Sequence, residues 1–563
     1  MRQLKLSTSV PLALTALILF GYVLYPLGIT LLSSLKIDDA FSLAHYRTLL
    51  NPESRSSWEA IWNSVFISAL TVILSGIVGV FFAVVFTQFE FPFRDLLSRL
   101  AVLPIALPPL VGVIAFLFVF GESGFLPRGL QSVFGMEKVP FYLEGLPAIV
   151  VVHVYSFYVY FYLFVSSALR QLDGSLFEAA ASLGSTSWRT FQRVMLPQLK
   201  PALLGASILT FMTSMASFSA PLLFGGEHRF MTTAIYSSKL NGELDLAAAQ
   251  SMLLTFVSLA FFIALRGIGR MKNVRTRGAA RSTPFEVNKL VKTTLVSLSI
   301  LVLAVEMLPI ITIVVISFVK EGSWTWQILP TSYTSENYLK LLSDARVFEP
   351  IGNSILMSLF AVIAAVMVGV TAAYLITKGG LGRSRFLVDL IVTGPFALPG
   401  TVVAISLILA FNSPTIFSGY TVLVGSFWIL PIAYFIRLYP LIVRSTAAAL
   451  EQLDDSLIEA AETFGSGVYR KFRKVVLPII LPGVVSGSLL MMIAALGEFV
   501  SSILLYTYST RPISIEILSQ LRTYNFGPAA AYSVVLLVMI LALTFLSNRL
   551  TRRLALTDQA VNF

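Results

Sequence analysis

Four ionisable side chains interrupt long apolar runs in this 563-residue sequence. They are His153 in VVHVYSFYVYFYLF, Glu306 in LAVEMLPII, Arg437 in AYFIRLYPL and Glu498 in GEFVSSILLY. Charge is costly in hydrocarbon, so each such group should face a partner or a polar pathway. Glu498 is the best placed for chemistry. Together with Ser501, Ser502 and the counterpart serines Ser217 and Ser219 of SFSAPLLFGG, it could assist a cation through neutral oxygens; the alternative is a gate or a structural hydrogen bond. Arg437 reads as a side chain that snorkels toward the cytoplasmic end of its span. His153 reads as an interhelical hydrogen-bonder, and Glu306 as a contact to a polar neighbour. None of this is a catalytic set. The chain has no cysteine, and His45, His153 and His228 show no metal-ligand spacing.

A second group of residues suits docking rather than catalysis. EAAASLGSTSWRTFQRVMLP starts at Glu178, and EAAETFGSGVYRKFRKVVLP starts at Glu459, 281 positions later. Each copy reads as two short helices. Ser175 and Ser456 are the expected N-caps, with Glu178 and Glu459 bonding back in a capping box. Gly184 and Gly465 sit where a helix ends in a left-handed residue. The next helix carries Trp188, Phe191 and Met195 on one face, matched by Tyr469, Phe472 and Val476. Its other face is basic, with Arg189 and Arg193, or Arg470, Lys471, Arg473 and Lys474. Leu196-Pro197 and Leu477-Pro478 are expected to close it, with Pro201 and Pro482 opening the next span. The aromatic stripe either packs on its own bundle or the lipid interface, or forms a socket for a soluble partner.

These residues need a scaffold, and composition says which. The chain is 56% hydrophobic and only 12% charged, where a soluble domain has about 25% charged residues. That balance belongs to an all-α polytopic membrane protein. Its net charge of +11 gathers in short segments between apolar runs, which argues for a positive-inside pattern and against nucleic acid. Candidate spans lie near 10–32, 61–87, 99–120, 146–169, 201–223, 247–266, 293–318, 352–377, 388–411, 421–443, 482–504 and 529–548. The first is expected to be a retained membrane helix, being too long for a signal peptide and lacking a small-residue cleavage site.

The twelve spans form two related halves, 1–266 and 293–563, joined by a basic linker, 267–292. NSVFISALTVILSGIVGV from Asn63 matches NSILMSLFAVIAAVMVGV from Asn353, and LPIALPPL from Leu103 matches GPFALPGT from Gly394. Pro108 and Pro399, in the matched ALP segments, are expected to kink equivalent helices near a pathway. Six spans per half gives a parallel repeat. The basic linker and loops place both termini and both repeated loops in the cytoplasm.

The repeated pattern Glu-Ala-Ala, three residues, Gly, nine residues, an aliphatic, one residue, Leu-Pro resembles the signature loop of binding-protein-dependent ABC importer permeases. Val194 and Val475 stand where isoleucine is usual. The resemblance covers nearly the whole chain and implies a type I importer permease fold. It implies that each loop docks on one subunit of a separate ATPase, two copies in all, through Glu178, Ala179, Ala180, Gly184, Trp188, Arg189, Phe191, Leu196 and Pro197. In the second loop the same role falls to Glu459, Ala460, Ala461, Gly465, Tyr469, Arg470, Phe472, Leu477 and Pro478. ATP and magnesium would bind that partner, with no cofactor on this chain. The sequence itself has no Gly-Lys dipeptide and hence no phosphate-binding loop of the Walker type. Leu74-Ser75-Gly76 begins like an ABC signature but lies inside a span. An external binding protein, periplasmic or lipid-anchored, is the other implied partner. The segments SFSAPLLFGG and GEFVSSILLY resemble the ferric-iron type most, with thiamine, aminophosphonate and polyamine importers as relatives.

Two other classes compete. An ion-gradient-driven transporter of six plus six helices would need midplane coupling carboxylates and no docking loops. A membrane glycosyltransferase would need acidic metal-binding clusters, and LDD at Leu453 is the only local candidate. Its counterpart LDG at Leu172 points instead to helix initiation.

Overall fold

A computed structural model of the chain describes residues 13–37, 40–269, 288–324, 328–378 and 385–560. Most of the expected linker 267–292 lies outside the described residues. Among the described residues, 11 helices are long and apolar enough to cross a membrane, or 12 if the bent pair Ile391–Ala397 and Gly400–Phe411 counts as one span.

The first repeat contains α1 (Ala13–Ser34), α2 (Arg55–Gln88), α3 (Pro109–Phe120), α4 (Gly145–Leu169), α5 (Gly174–Ser182) and α6 (Ser187–Met215). It continues through the short α7 (Ser219–Phe224) and α8 (Met231–Leu240) into α9 (Leu244–Gly269). The second repeat follows the same order. Its elements are α10 (Lys289–Ile316), α11 (Ala345–Lys378), α12 (Gly400–Phe411), α13 (Ile429–Glu451), α14 (Asp455–Thr463) and α15 (Tyr469–Leu496), then α16 (Ser502–Leu505), α17 (Ile513–Arg522) and α18 (Phe526–Ala560).

Packing sorts these elements into two compact units that interleave the repeats. One holds Arg47–Ala234 with Leu253–Tyr333; the other holds Ile235–Met252 and Thr334–Phe563 together with α1. Thus α10, which opens the second repeat, packs with α3 and α2 and meets Tyr158 of α4. Its Leu303 joins a buried cluster with Phe82, Phe86, Tyr158, Val165, Met195 and Leu199. In the other unit α1 lies along α12: Thr30 Oγ1 donates to Ser406 Oγ at 2.8 Å, and Tyr22 donates to the Phe417 carbonyl at 2.8 Å. Gly21 makes that approach possible, because a Cβ there would lie 2.4 Å from the Phe417 ring.

The Asn-Ser pair that starts each matched motif has a structural role in both units. Asn63 Nδ2 donates to the Arg229 carbonyl at 3.1 Å, and Ser64 Oγ accepts from the Met231 N–H at 3.0 Å. Asn353 donates to the Arg511 carbonyl at 3.1 Å, and Ser354 accepts from the Ile513 N–H at 2.8 Å. Backbone groups freed at the start of α8 and α17 are thereby satisfied by side chains, as low-dielectric surroundings demand.

Several span expectations change, and the third span begins at Pro109 rather than 99. The fifth and eleventh spans begin earlier than 201 and 482 and end at Met215 and Leu496, short of 223 and 504. The tenth begins at Ile429 rather than 421. Pro108 and Pro399 have extended backbone (φ −54, ψ 138 and φ −57, ψ 143) directly before α3 and α12, after one 3-10 turn each. Each proline pushes its predecessor, Leu107 or Leu398, out of the helical region. In the second repeat the chain turns by 115° at this point.

Candidate functional site

The two repeated loops share one geometry. Helix α5 is capped by Asp173, whose side chain accepts from the Ser175 N–H at 3.0 Å, and α14 by Asp454, which accepts from the Ser456 N–H at 2.9 Å. This corrects the expected cap by two residues: Ser175 and Ser456 are already inside the first turn, and the aspartates of LDG and LDD are the helix initiators. The shift follows from competition between two capping side chains, which a carboxylate wins through its charge at the positive helix end. The same backbone N–H bonds hold the Asp173 and Asp454 carboxyls below the usual carboxylate range.

Both helices end as the glycines require. Gly184 and Gly465 have φ of +70 and +71. The Gly184 N–H donates to the Ala181 carbonyl at 2.9 Å and the Ser185 N–H to Ala180 at 3.0 Å; Gly465 and Ser466 do the same to Glu462 and Ala461 at 2.9 and 3.0 Å. This is the paired-bond stop that satisfies the last carbonyls.

The following helices do not stop at Leu-Pro. α6 and α15 run continuously from the loops into the membrane. A π-turn at Phe191–Met195, and another at Phe472–Val476, sits immediately before Leu196-Pro197 and Leu477-Pro478. A proline ring crowds the carbonyl four residues back, and the wider π-turn makes room without ending the helix.

The aromatic stripe divides between the two readings open for it. Its inner end is core: Met195 and Val476 are buried, and Phe191, with Phe177, packs against the cluster around Phe82 and Tyr158. Its outer end is open, with Trp188 66% and Tyr469 73% exposed. Trp188 stacks on Phe191 with ring centroids 5.6 Å apart. Glu178, Ala179, Arg189, Glu459, Ala460 and Arg470 are exposed around it, while Ala180 faces inward. Each loop is therefore a rooted helix pair presenting one large ring and several charges.

The candidate pathway residues lie where α6 and α15 break. In the first repeat, His153 of α4 sits between two serines, with Nε2 2.8 Å from Ser217 Oγ and Nδ1 3.0 Å from Ser214 Oγ. Thr232 Oγ1 donates to the Ser217 carbonyl at 2.8 Å. A small cavity opens here, lined by His153, Ser64, Ser214, Ser217 and Thr232 among apolar neighbours. Ser219, next along, is buried.

The second repeat holds an ion pair at the same place. Glu498 Oε2 contacts Arg437 Nη1 of α13, and Oε1 accepts from both the N–H and Oγ of Ser501 at 3.0 Å. The Glu498 carbonyl accepts from Ser502 Oγ at 2.8 Å and Ser514 Oγ at 3.0 Å, and Tyr434 shares a 2.8 Å hydrogen bond with Ser502. Arg437 is thus a partner rather than a snorkelling side chain, which corrects the sequence expectation. Spacing gives no rotation of α13 about its axis, so it could not show this pairing. The available signal was that two lone opposite charges in one repeat tend to meet. Glu306 finds its polar neighbour in Tyr158, whose hydroxyl lies 2.8 Å from Glu306 Oε2 and 2.7 Å from the Ala101 carbonyl.

Comparison with known proteins matches this architecture. The family model for the binding-protein-dependent transport system inner membrane component matches residues 75–277 and again residues 365–556. A probable ABC transporter permease protein of Sinorhizobium fredii is 30% identical over 509 residues, covering 89% of each chain. The ferric transport system permease protein FbpB of Actinobacillus pleuropneumoniae is 27% identical over 541 residues, 94% of this chain and 76% of its own. Among solved structures, a bacterial ABC transporter involved in alginate import aligns with 46% of this chain and 93% of its own at 18% identity, with a TM-score of 0.39. With two copies of the family domain on one chain, this protein belongs to the binding-protein-dependent transport system inner membrane components and is a fused, two-repeat permease of an ABC importer.

Proposed function

We propose that this permease passes ferric iron from an external binding protein to the cytoplasm, driven by a separate ATPase that docks under both repeated loops. The observation that carries the docking reading is the duplication of one detailed geometry: an aspartate cap, a left-handed glycine stop, a π-turn and an exposed ring, rooted in the bundle. A duplicated socket rooted in the bundle is what two partner subunits need. The positive-inside pattern puts those sockets, and both termini, in the cytoplasm. Iron is favoured by the ferric permease relative that aligns over 94% of this chain.

Each unit contributes its own candidate stretch of solute path, at the break after α6 in one and at the break after α15 in the other. Glu498 acts there as a gate: Arg437 and Ser501 occupy its oxygens, so a cation reaches the carboxylate only as the guanidinium withdraws. Ser217 and Ser219 supply the neutral lining in the first unit, Ser501 and Ser502 in the second, and Pro108 and Pro399 set the turn of the neighbouring helix in each.

The test is a mild-detergent pull-down of the tagged chain from native membranes, with metal and small-molecule analysis of any binding protein recovered. An ATPase and an iron-loaded binding protein are expected. A binding protein loaded with thiamine, an aminophosphonate or a polyamine would overturn the iron assignment, and transport on an ion gradient by the purified chain alone would overturn the docking reading.

A further inference from the structure

The two loops share a frame but not their fastenings. In the second loop Lys471, only 5% exposed, extends its ammonium to Glu462 and so ties α15 to α14 across the glycine stop. Lys378, the last residue of α11, donates to Asp455 Oδ1 at 2.5 Å and to the Leu453 carbonyl at 3.2 Å, tying the start of α14 to a membrane helix. The Lys471 contact also holds the Glu462 carboxyl below its ordinary range.

The first loop has neither tie. The repeat places Thr190 at the position of Lys471, Ala181 at that of Glu462, Gln88 at that of Lys378 and Gly174 at that of Asp455. Thr190 Oγ1 donates to Ser185 Oγ at 3.0 Å, a neutral contact. What roots this loop is apolar, through Phe177, Phe191 and Met195.

We propose that Lys471–Glu462 and Lys378–Asp455 are positioning pairs that make the second loop the stiff transmitter of ATPase movement, while the first loop is the compliant one. An exposed ion pair alone would contribute little. At Lys471 the side chain is buried, so losing Glu462 leaves an ammonium without its carboxylate in a poorly hydrated place. The two ties also act in series, from membrane helix to α14 to α15. Displacement of the exposed Tyr469 end then moves α11 and α15 together. In the first loop the same push can be absorbed between α5 and α6.

This inference rests on the docking reading, and the experiment separates the two. The whole complex, permease with its co-purifying ATPase and binding protein, is placed in liposomes, and ATP hydrolysis is read with and without the binding protein. Glu462→Gln and Lys471→Met should each lower the ratio of stimulated to basal hydrolysis at least about fivefold. The reversed pair, Glu462→Lys with Lys471→Glu, should restore the ratio; a role in folding alone would change the amount of complex and leave the ratio alone. In parallel, Trp188→Cys and Tyr469→Cys report docking by cross-linking to the ATPase. Cross-links at both positions with an unchanged ratio in the single variants would overturn the inference and leave docking standing. Absence of cross-links at both positions would remove the docking reading and the inference with it. Should the single variants fail to accumulate, a reversed pair that accumulates but remains uncoupled would equally overturn the proposal.

Discussion

At the break after α6 the first repeat places a histidine between two serines; at the break after α15 the second repeat places a glutamate against an arginine. The backbone frame is the same, down to the Asn-Ser clamps and the hydroxyl on the break carbonyl, Thr232 in one and Ser514 in the other. What differs is charge. The loops repeat the contrast, with neutral hydrogen bonding at Thr190 and ion pairing at Lys471. Duplication thus kept the geometry of the halves and let their electrostatics diverge. A broken neutral hydrogen bond leaves only dipoles unsatisfied, whereas an ion pair in a low-dielectric setting is strong when closed and leaves uncompensated charge when open.

Breaking the pair at Glu498 should have the largest effect. Glu498→Ala or Arg437→Ala leaves the other charge buried and unpaired, at a cost of about 3–5 kcal/mol, and transport should be lost. Replacing both with methionine should recover thermal stability in detergent but not transport. If that double variant transports normally, the pair has no gating role. At the other break, His153→Ala leaves the Ser214 and Ser217 hydroxyls without it but strands no charge, so a smaller cost of about 1–3 kcal/mol is expected. Equal melting shifts for Glu498→Ala and His153→Ala would dissolve the contrast.

Gly400→Ala probes the ion pair from behind. A Cβ there lies 3.0 Å from Val500 Cβ and 3.1 Å from Arg437 Nη1, so overpacking of about 1–3 kcal/mol is expected, with a fall in transport. Pro109 stands at this place in the first repeat, where no guanidinium has to be accommodated.

Where the frame is shared, the halves should respond alike. A Cβ at Gly184 or Gly465 meets no neighbour within 4 Å, so the penalty of an alanine is conformational, about 1–2 kcal/mol in either loop. The two variants should therefore lose similar thermal stability in detergent, read as equal melting shifts. A large difference between them would show that the glycine stops are not equivalent.

The smallest expected effect is the acid response of the loops. Asp173, Asp454 and Glu462 all have folded carboxyls held below their ordinary values. Their stabilising contribution is complete above those ordinary values and is lost as pH falls through the lowered ones. The second loop holds two of these groups and the first holds one. Pepsin digestion between about pH 5 and pH 2 should therefore open the second loop more steeply than the first. The same steepness in both would remove Glu462–Lys471 from the account.

Much of this protein was legible in its sequence because the deciding signals are local. Long apolar runs give spans since hydrocarbon leaves the backbone no other partner, and a repeated order of motifs gives two parallel halves. Gly184 and Gly465 announced their left-handed stops because only glycine takes that conformation freely. The capping position was less legible: Asp173 and Ser175 both fit an N-cap pattern, and the first turn of the helix settled it in favour of the aspartate. Leu-Pro read as a helix end, because sequence spacing cannot register the π-turn that lets the helix continue.

Pattern and composition alone thus determined the class of the protein, the number and order of its spans and the position of its two repeated loops. Only the tertiary structure decided that α1 and α10 pack with spans of the opposite repeat, that Arg437 meets Glu498, and that Glu306 meets Tyr158. The reason is geometric. Hydropathy fixes how deep a residue lies along a helix, but the rotation of that helix and the neighbour it faces depend on side-chain packing from distant parts of the chain.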